Sequence, residues 1–128
     1  QTVKLSPVCT LDDMISFREL VWNIPAADSI AEAAVKVVRA SRPDDATCPE
    51  AVKPLLTWGA GPRASQYLLL AARAFAALDN RPTPDTGDIR RAAYPVLRHR
   101  LVRSFNAEVD NIGQNRIIEL LLDSVLKE

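Results

Sequence analysis

The stretch Trp58-Gly59-Ala60-Gly61-Pro62-Arg63-Ala64-Ser65-Gln66, with the apolar run behind it, constrains this chain more than any other feature. From Tyr67 to Leu78 the sequence reads Tyr-Leu-Leu-Leu-Ala-Ala-Arg-Ala-Phe-Ala-Ala-Leu. A helix apolar on nearly every side is the central, buried one of its domain. Only Arg73 interrupts it, and a long arginine stem can carry its charge out to water. Pro62 suits the first helical position, where its missing N–H would have no partner anyway. Gly61 is then expected at the N-cap, with Gly59 loosening the approach. Arg63 falls in the first turn, where a cation opposes the helix macrodipole. A charge so placed does not serve helix stability and points to another role.

The rest of the chain reads as helices separated by proline-marked turns. Residues 1–9 are linker-like, with Pro7 blocking an early helix. Thr10 with Asp13 has the spacing of a capping arrangement for a helix running to about Trp22. Its apolar stripe is Met14, Phe17, Val21 and Ile24, and Pro25 ends it. Asp28 or Ser29 is expected to cap the next helix, whose positions Ile30, Ala33, Ala34, Val37 and Val38 follow the helical template closely. Glu32 and Lys36 add an i,i+4 pair on its wet side. Thr47 with Glu50 predicts a short helix from Cys48, distorted by Pro54. The central helix should end near Asp79-Asn80, and Arg81-Pro82-Thr83-Pro84-Asp85 forms a rigid turn. Thr86 and Asp88 open a helix through Ala93, and Pro95 either kinks it or starts another. Asn106 to Gly113 is turn-like, and Gln114 to Lys127 is a last amphipathic helix with Ile117, Ile118, Leu121, Leu122 and Val125 on one face. No stretch alternates with period two and no internal repeat is visible. The expected architecture is an all-α bundle of about six helices.

Composition limits the classes of function. The 128 residues suit one domain with a real core. Formal net charge is +0, so bulk electrostatics give no reason to expect a nucleic-acid partner. No apolar run approaches the roughly 20 residues needed to span a bilayer, and no secretory leader is visible. Cys9 and Cys48 lack companions at zinc-ligand spacing and read as free thiols of a cytoplasmic protein. Gln1 rather than Met opens the chain, as expected of a piece of a longer polypeptide.

Catalytic elements are conspicuous by their absence. The chain holds no GxxxxGK[ST] loop, GxGxxG, HExxH or paired CxxC, and His99 is its one histidine. Two arginine-bearing elements remain. Around Arg63, a helix N-terminus and a guanidinium in its first turn both favour a phosphate oxygen, and the upstream glycines let a ligand approach the backbone. An ordinary surface arginine fits the same pattern. The second element, Arg90 to Arg103, contains Arg90, Arg91, Arg98, His99, Arg100 and Arg103 with no acidic residue. It reads either as a solvated face balanced by Glu108, Asp110, Glu119 and Asp123, or as a surface for an acidic partner of an independent helical interaction module. Aromatic residues are not interleaved with these arginines, which disfavours nucleic acid.

The run Trp58-Gly59-Ala60-Gly61-Pro62-Arg63-Ala64 and the later Tyr94-Pro95-Val96-Leu97-Arg98-His99-Arg100 resemble the C-terminal helical lid of MoxR-family AAA+ ATPases. In that family the first motif is the sensor-2 element, commonly Gly-Ala-Ser-Pro-Arg-Ala, and here Gly61 replaces the serine. The segments Val21-Trp22-Asn23-Ile24-Pro25 and Val37-Val38-Arg39-Ala40-Ser41-Arg42-Pro43 are similar to the family's linker into the lid. The resemblance runs from about Thr10 to Glu128, so it implies a linker or the end of the preceding ATPase domain at 1–9 and a helical lid carrying the sensor-2 motif at 10–128. It implies a fragment of an ATPase, inactive alone because the Walker A and Walker B elements lie in the family's large N-terminal domain. Arg63 would be the catalytic sensor-2 residue, and Gly61, Pro62 and Arg63 would adjoin ATP, whose Mg comes with the large domain. Arg98, His99 and Arg100 would lie at an inter-domain or inter-subunit boundary. The family further implies hexameric rings, a chaperone-like role in assembling or activating protein complexes, and often a von Willebrand A-domain partner.

Overall fold

Leu68, Leu97, Ile117, Ile118, Leu121 and Leu122 are fully buried, and they come from three helices that converge on one core. The computed structural model describes residues 5–126. Part of the expected linker (residues 1–4) and the expected helix end at Lys127 therefore lie outside the described residues. The elements are α1 (Leu11–Asn23), α2 (Asp28–Ala40), a 3-10 turn (Lys53–Leu55), β1 (Leu56–Trp58), α3 (Arg63–Leu78), α4 (Thr86–Leu97), β2 (Val102–Arg103), α5 (Phe105–Val109) and α6 (Gln114–Val125). The architecture is all-α, with a small antiparallel ribbon of β1 and β2 as its one sheet among the described residues. No helix among them is long and apolar enough to cross a membrane.

The helices α2, α3, α4 and α6 build the core. In α3 the buried stripe is Ala64, Leu68, Ala72 and Ala76, spaced four apart. Three alanines on this seam let α2 and α4 approach its backbone closely. All five apolar positions expected of α2 are buried. Its start differs from expectation: Ala27 holds the cap position with no side-chain bond, and Asp28 is already helical, where its charge favours the positive end of the dipole. α3 closes as anticipated near Asp79-Asn80. Asn80 takes a left-handed φ of 54°, and the Arg81 N–H donates to the Ala76 carbonyl at 2.8 Å.

Several expectations are corrected by tertiary contacts. Thr10 and Asp13 do form a reciprocal capping box on α1, but Met14 and Phe17 of its apolar stripe stay exposed and α1 buries no residue. The helix lies alongside α3 at the margin of the molecule. No α-helix forms between Cys48 and Leu55. The Thr47 N–H and hydroxyl donate back to Asp45 at 2.9 and 2.7 Å, so Thr47 closes a turn there and does not cap forward toward Glu50. Pro49 and Pro54 leave room only for turns and the short 3-10 segment. α4 is capped by Asp85, not Thr86, and runs unbroken through Pro95 to Leu97. The proline is tolerated because it removes one hydrogen bond in the last turn, where the helix is ending anyway. A five-residue helix, α5, occupies part of the expected turn after Asn106, capped by Ser104. The ribbon escaped a periodicity reading because strands of three and two residues are too short to alternate visibly.

Candidate functional site

The segment Trp58–Arg63 is held from two sides before α3 begins. On one side β1 pairs with β2, Leu56 opposite Arg103 and Trp58 opposite Val102. On the other it lies against the C-terminal end of α2. Ser41, fully buried, donates to the Val38 carbonyl at 2.7 Å and accepts the Ala60 N–H at 3.0 Å. Arg42 Nε donates to the Ala60 carbonyl at 2.9 Å. Both backbone groups of Ala60 are thus satisfied by one dipeptide of α2's end. Gly59 is buried at the closest point of this contact. A Cβ there would collide with the Ser41 carbonyl and stand 2.8 Å from the Arg42 Cα, so the glycine is required by proximity, not by its dihedrals.

Gly61, Pro62 and Arg63 then emerge into solvent. Pro62, not Gly61, is the cap residue, with helical φ and ψ of −57° and −33°. The first bonds are of the tight i→i+3 kind: Ala64 N–H to the Gly61 carbonyl at 3.0 Å, and Ser65 N–H to the Pro62 carbonyl at 3.1 Å. Regular α-helix accordingly starts one residue later than expected, at Arg63. Around Gly61 a Cβ would meet nothing within 4 Å, so nothing inside this chain requires glycine there. A depression of about 450 Å³ adjoins the motif, lined by Arg42, Pro43, Asp44, Trp58, Gly61 and Pro62 among others, but not by Arg63.

Arg63 has no hydrogen-bond or ion-pair partner among the described residues. Arg18 shares this property among the described residues, while the other arginines are engaged. Arg42 serves Ala60 and Arg90 pairs with Asp123 at 2.7 Å. Arg91 reaches Asp79 and stacks on Phe75 at 4.0 Å. Arg81 binds Asp88 through two bonds of 2.6 and 2.8 Å. Arg73, expected to extend to water, instead donates to the Trp22 carbonyl at 3.3 Å, and its Nε is buried without a partner.

The arginine-rich segment is likewise occupied within the chain. Arg98 Nε donates to Asn115 at 2.8 Å. Arg100 donates to the Val96 carbonyl, contacts His99 Nε2 and lies over the Tyr67 ring. Arg103 approaches Glu108 at 3.8 Å and the Ile112 carbonyl at 3.3 Å. Of the expected carboxylate partners, Glu108 and Asp123 meet arginines of this segment, while Glu119 pairs with Arg116. Arg98, His99 and Arg100 follow the end of α4, and of the three Arg100 lies over Tyr67, which is one turn along α3 from Arg63. Among the described residues no group of three or more His, Cys, Asp or Glu could hold a metal ion. Ser41 and Arg42 are the positioning residues that reasoning on the motif alone missed. Their signal lay eighteen residues upstream, in the Ser-Arg-Pro that follows a strongly patterned helix.

Comparison with known proteins gives a consistent picture. Residues 49–120 match the AAA lid domain family. Over 118 residues the chain is 30% identical to the chaperone MoxR1 of Mycobacterium tuberculosis, covering 92% of this chain and 31% of that protein. It is 31% identical over 121 residues to the uncharacterised protein YeaC of Bacillus subtilis, covering 94% of this chain and 35% of YeaC. A crystal structure of a protein of proposed ATPase activity from Cytophaga hutchinsonii superposes with a TM-score of 0.82 at 29% identity, over 89% of this chain and 34% of that one. The chain thus spans about a third of the length of these relatives.

Proposed function

Because this chain belongs to the AAA lid domain family, we propose that it is the nucleotide-sensing lid of a MoxR-type AAA+ ATPase, with Arg63 meeting the phosphates of ATP. The observation that carries this reading is Arg63 itself: exposed, without a partner among the described residues, and in the first turn of α3. A guanidinium kept free at a helix N-terminus suits a phosphate oxygen, whose negative charge also complements the dipole. Gly61 supports the reading from the ligand side, since its missing side chain leaves open space that the domain does not use. Pro62 holds the turn at helical dihedrals, so Arg63 is presented from a rigid base.

ATP and its Mg would be brought by the ATPase domain of the same polypeptide, where the phosphate-binding loop belongs. Charge on the phosphoryl oxygens during transfer is what a positioned arginine stabilises. Because Arg63 is fixed to the core of the domain, engagement with ATP would set the angle of the whole lid, and hydrolysis would release it. A hexameric, cytoplasmic, chaperone-like assembly acting on protein complexes, with a von Willebrand A-domain partner, is the wider setting that the family resemblance supports. The alternative, an independent module gripping an acidic partner through Arg98 to Arg103, is disfavoured by the internal partners those arginines already have.

The test is Arg63→Ala in the full-length polypeptide. ATP turnover should fall by about 10²-fold, the scale of losing one transition-state donor, with Arg116→Ala on α6 as the control that leaves it unchanged. Wild-type turnover in Arg63→Ala would remove Arg63 from the site. The chain alone should bind ATP only weakly, since one cation and a helix end offer too few contacts.

A further inference from the structure

Between α2 and α6 lies a groove of about 720 Å³, lined mainly by α2. Asp28, Glu32, Val35 and Arg39 fall at i, i+4, i+7 and i+11, so they form one stripe along it, with Ala31 and Lys36 beside them. Val35 is 46% exposed, and the four charged residues are exposed as well. The core takes a different face of the helix, at Ile30, Ala34, Val37 and Val38.

The charges on this stripe are ordered. Carboxylates occupy its N-terminal half and cations its C-terminal half, with Ala31 and Val35 near the centre. The helix dipole accounts for an acid in the first turn and a base in the last, which are Asp28 and Arg39. Glu32 and Lys36 stand in the middle turns, beyond that reach. They pair with each other at 3.8 Å with both side chains 67% exposed, a contact too weak to keep either from a better partner. Arg39 meets Asp45 through Nε and Nη2, and its Nη1 makes no bond among the described residues.

A stripe with this order is complementary to itself. Turned end for end about an axis between Ala33 and Ala34, the carboxylates of one copy meet the cations of the other, and the two apolar centres face each other. The small side chain of Ala31 lets the helices approach closely. We propose that this groove takes the same groove of a second copy of this chain. α2 packs antiparallel on α2 across a two-fold axis, with Asp28 and Glu32 of each copy against Lys36 and Arg39 of the other. A two-fold contact closes on itself, whereas a ring is built from head-to-tail contacts, so this surface joins two assemblies and not neighbours within one ring. The pairing uses no residue of the Arg63 site and goes beyond the lid reading.

Disulfide trapping on the full-length polypeptide in a Cys9→Ser background tests it. At 1.5 Å per residue, the two copies of Val35 stand about 4 Å apart along the helix axis, so packed helices bring them within disulfide reach. Val35→Cys should therefore link to itself at position 35 under mild oxidation, as read by mass spectrometry of unreduced peptides. Adding Glu32→Lys or Lys36→Glu sets like charges against each other and should cut the linked fraction at least fivefold. An equimolar mixture of those two variants sets opposite charges together again and should restore linkage to within twofold of the parent. Restoration would also show that both variants are folded. No linkage at position 35 would overturn the pairing, as would linkage indifferent to the charge changes or a mixture that links no better than its components.

Discussion

Asp88 shows how a single residue ties two helices together. It is 3% exposed, accepts both bonds from Arg81, and closes the capping box of α4 through the Asp85 N–H at 2.9 Å. Arg81 in turn reaches Asp79 and Asp85, so the turn between α3 and α4 is one charge network. Burial alone would raise the Asp88 carboxyl, but bonds from Arg81 and from the backbone at Asp85 outweigh it and hold the group below the usual carboxylate range. Asp13 is held low by the Thr10 backbone and hydroxyl, and Asp45 far lower by Thr47 and then Arg39. A carboxyl lowered by folding lends stability that is complete above its unfolded value, about 3.9 for Asp, and is lost as pH falls through the folded one. The urea midpoint should therefore be level from pH 7 to about 5 and fall steeply below about 4. Asp88→Ala should cost about 2–3 kcal/mol at pH 7, the scale of losing charged hydrogen bonds at a buried group. It should also shallow the acid limb, and an unchanged limb would show that Asp88 does not drive it.

At the scale of elements, the decisive contact is between the end of α2 and the segment leading into α3. Gly59 permits it, and Ser41 and Arg42 bind it through Ala60. Gly59→Ala should destabilise the domain by about 1–3 kcal/mol, because the clash is with backbone that cannot move aside. Ser41→Ala should cost about 1–3 kcal/mol by leaving the buried Ala60 N–H unsatisfied. Both changes should raise amide exchange over residues 56–64 before they affect α6, and uniform loosening would argue against a local anchor. The motif itself was legible: proline, glycine and arginine at a helix start are signals of local backbone chemistry. Its anchor was not, because Ser41 and Ala60 are nineteen residues apart and meet only when α2 packs on α3.

In the whole molecule, burial separates residues that composition treats alike. Cys9 is exposed and Cys48 is buried, and burial pushes the Cys48 thiol up. A thiol reagent should modify Cys9 at once and Cys48 only as the domain opens, with denaturant making the two equal. Comparable rates in the native protein would mean that the loop around Cys48 is not closed. The amphipathic spacing of α2, α3 and α6 was enough to announce an all-α domain and most of its core, because helical periodicity is written within a few turns of chain. The sequence also determined, by itself, that Arg63 would stand at the start of the central helix. Tertiary structure alone decided that α1's apolar stripe would remain largely uncovered, that Thr47 would turn back to Asp45, and that the arginines after α4 would be spent on partners within the chain. It also decided that Arg63 would be left without one among the described residues. Those outcomes depend on which distant groups arrive within about 3 Å of each other, and no local pattern carries that information.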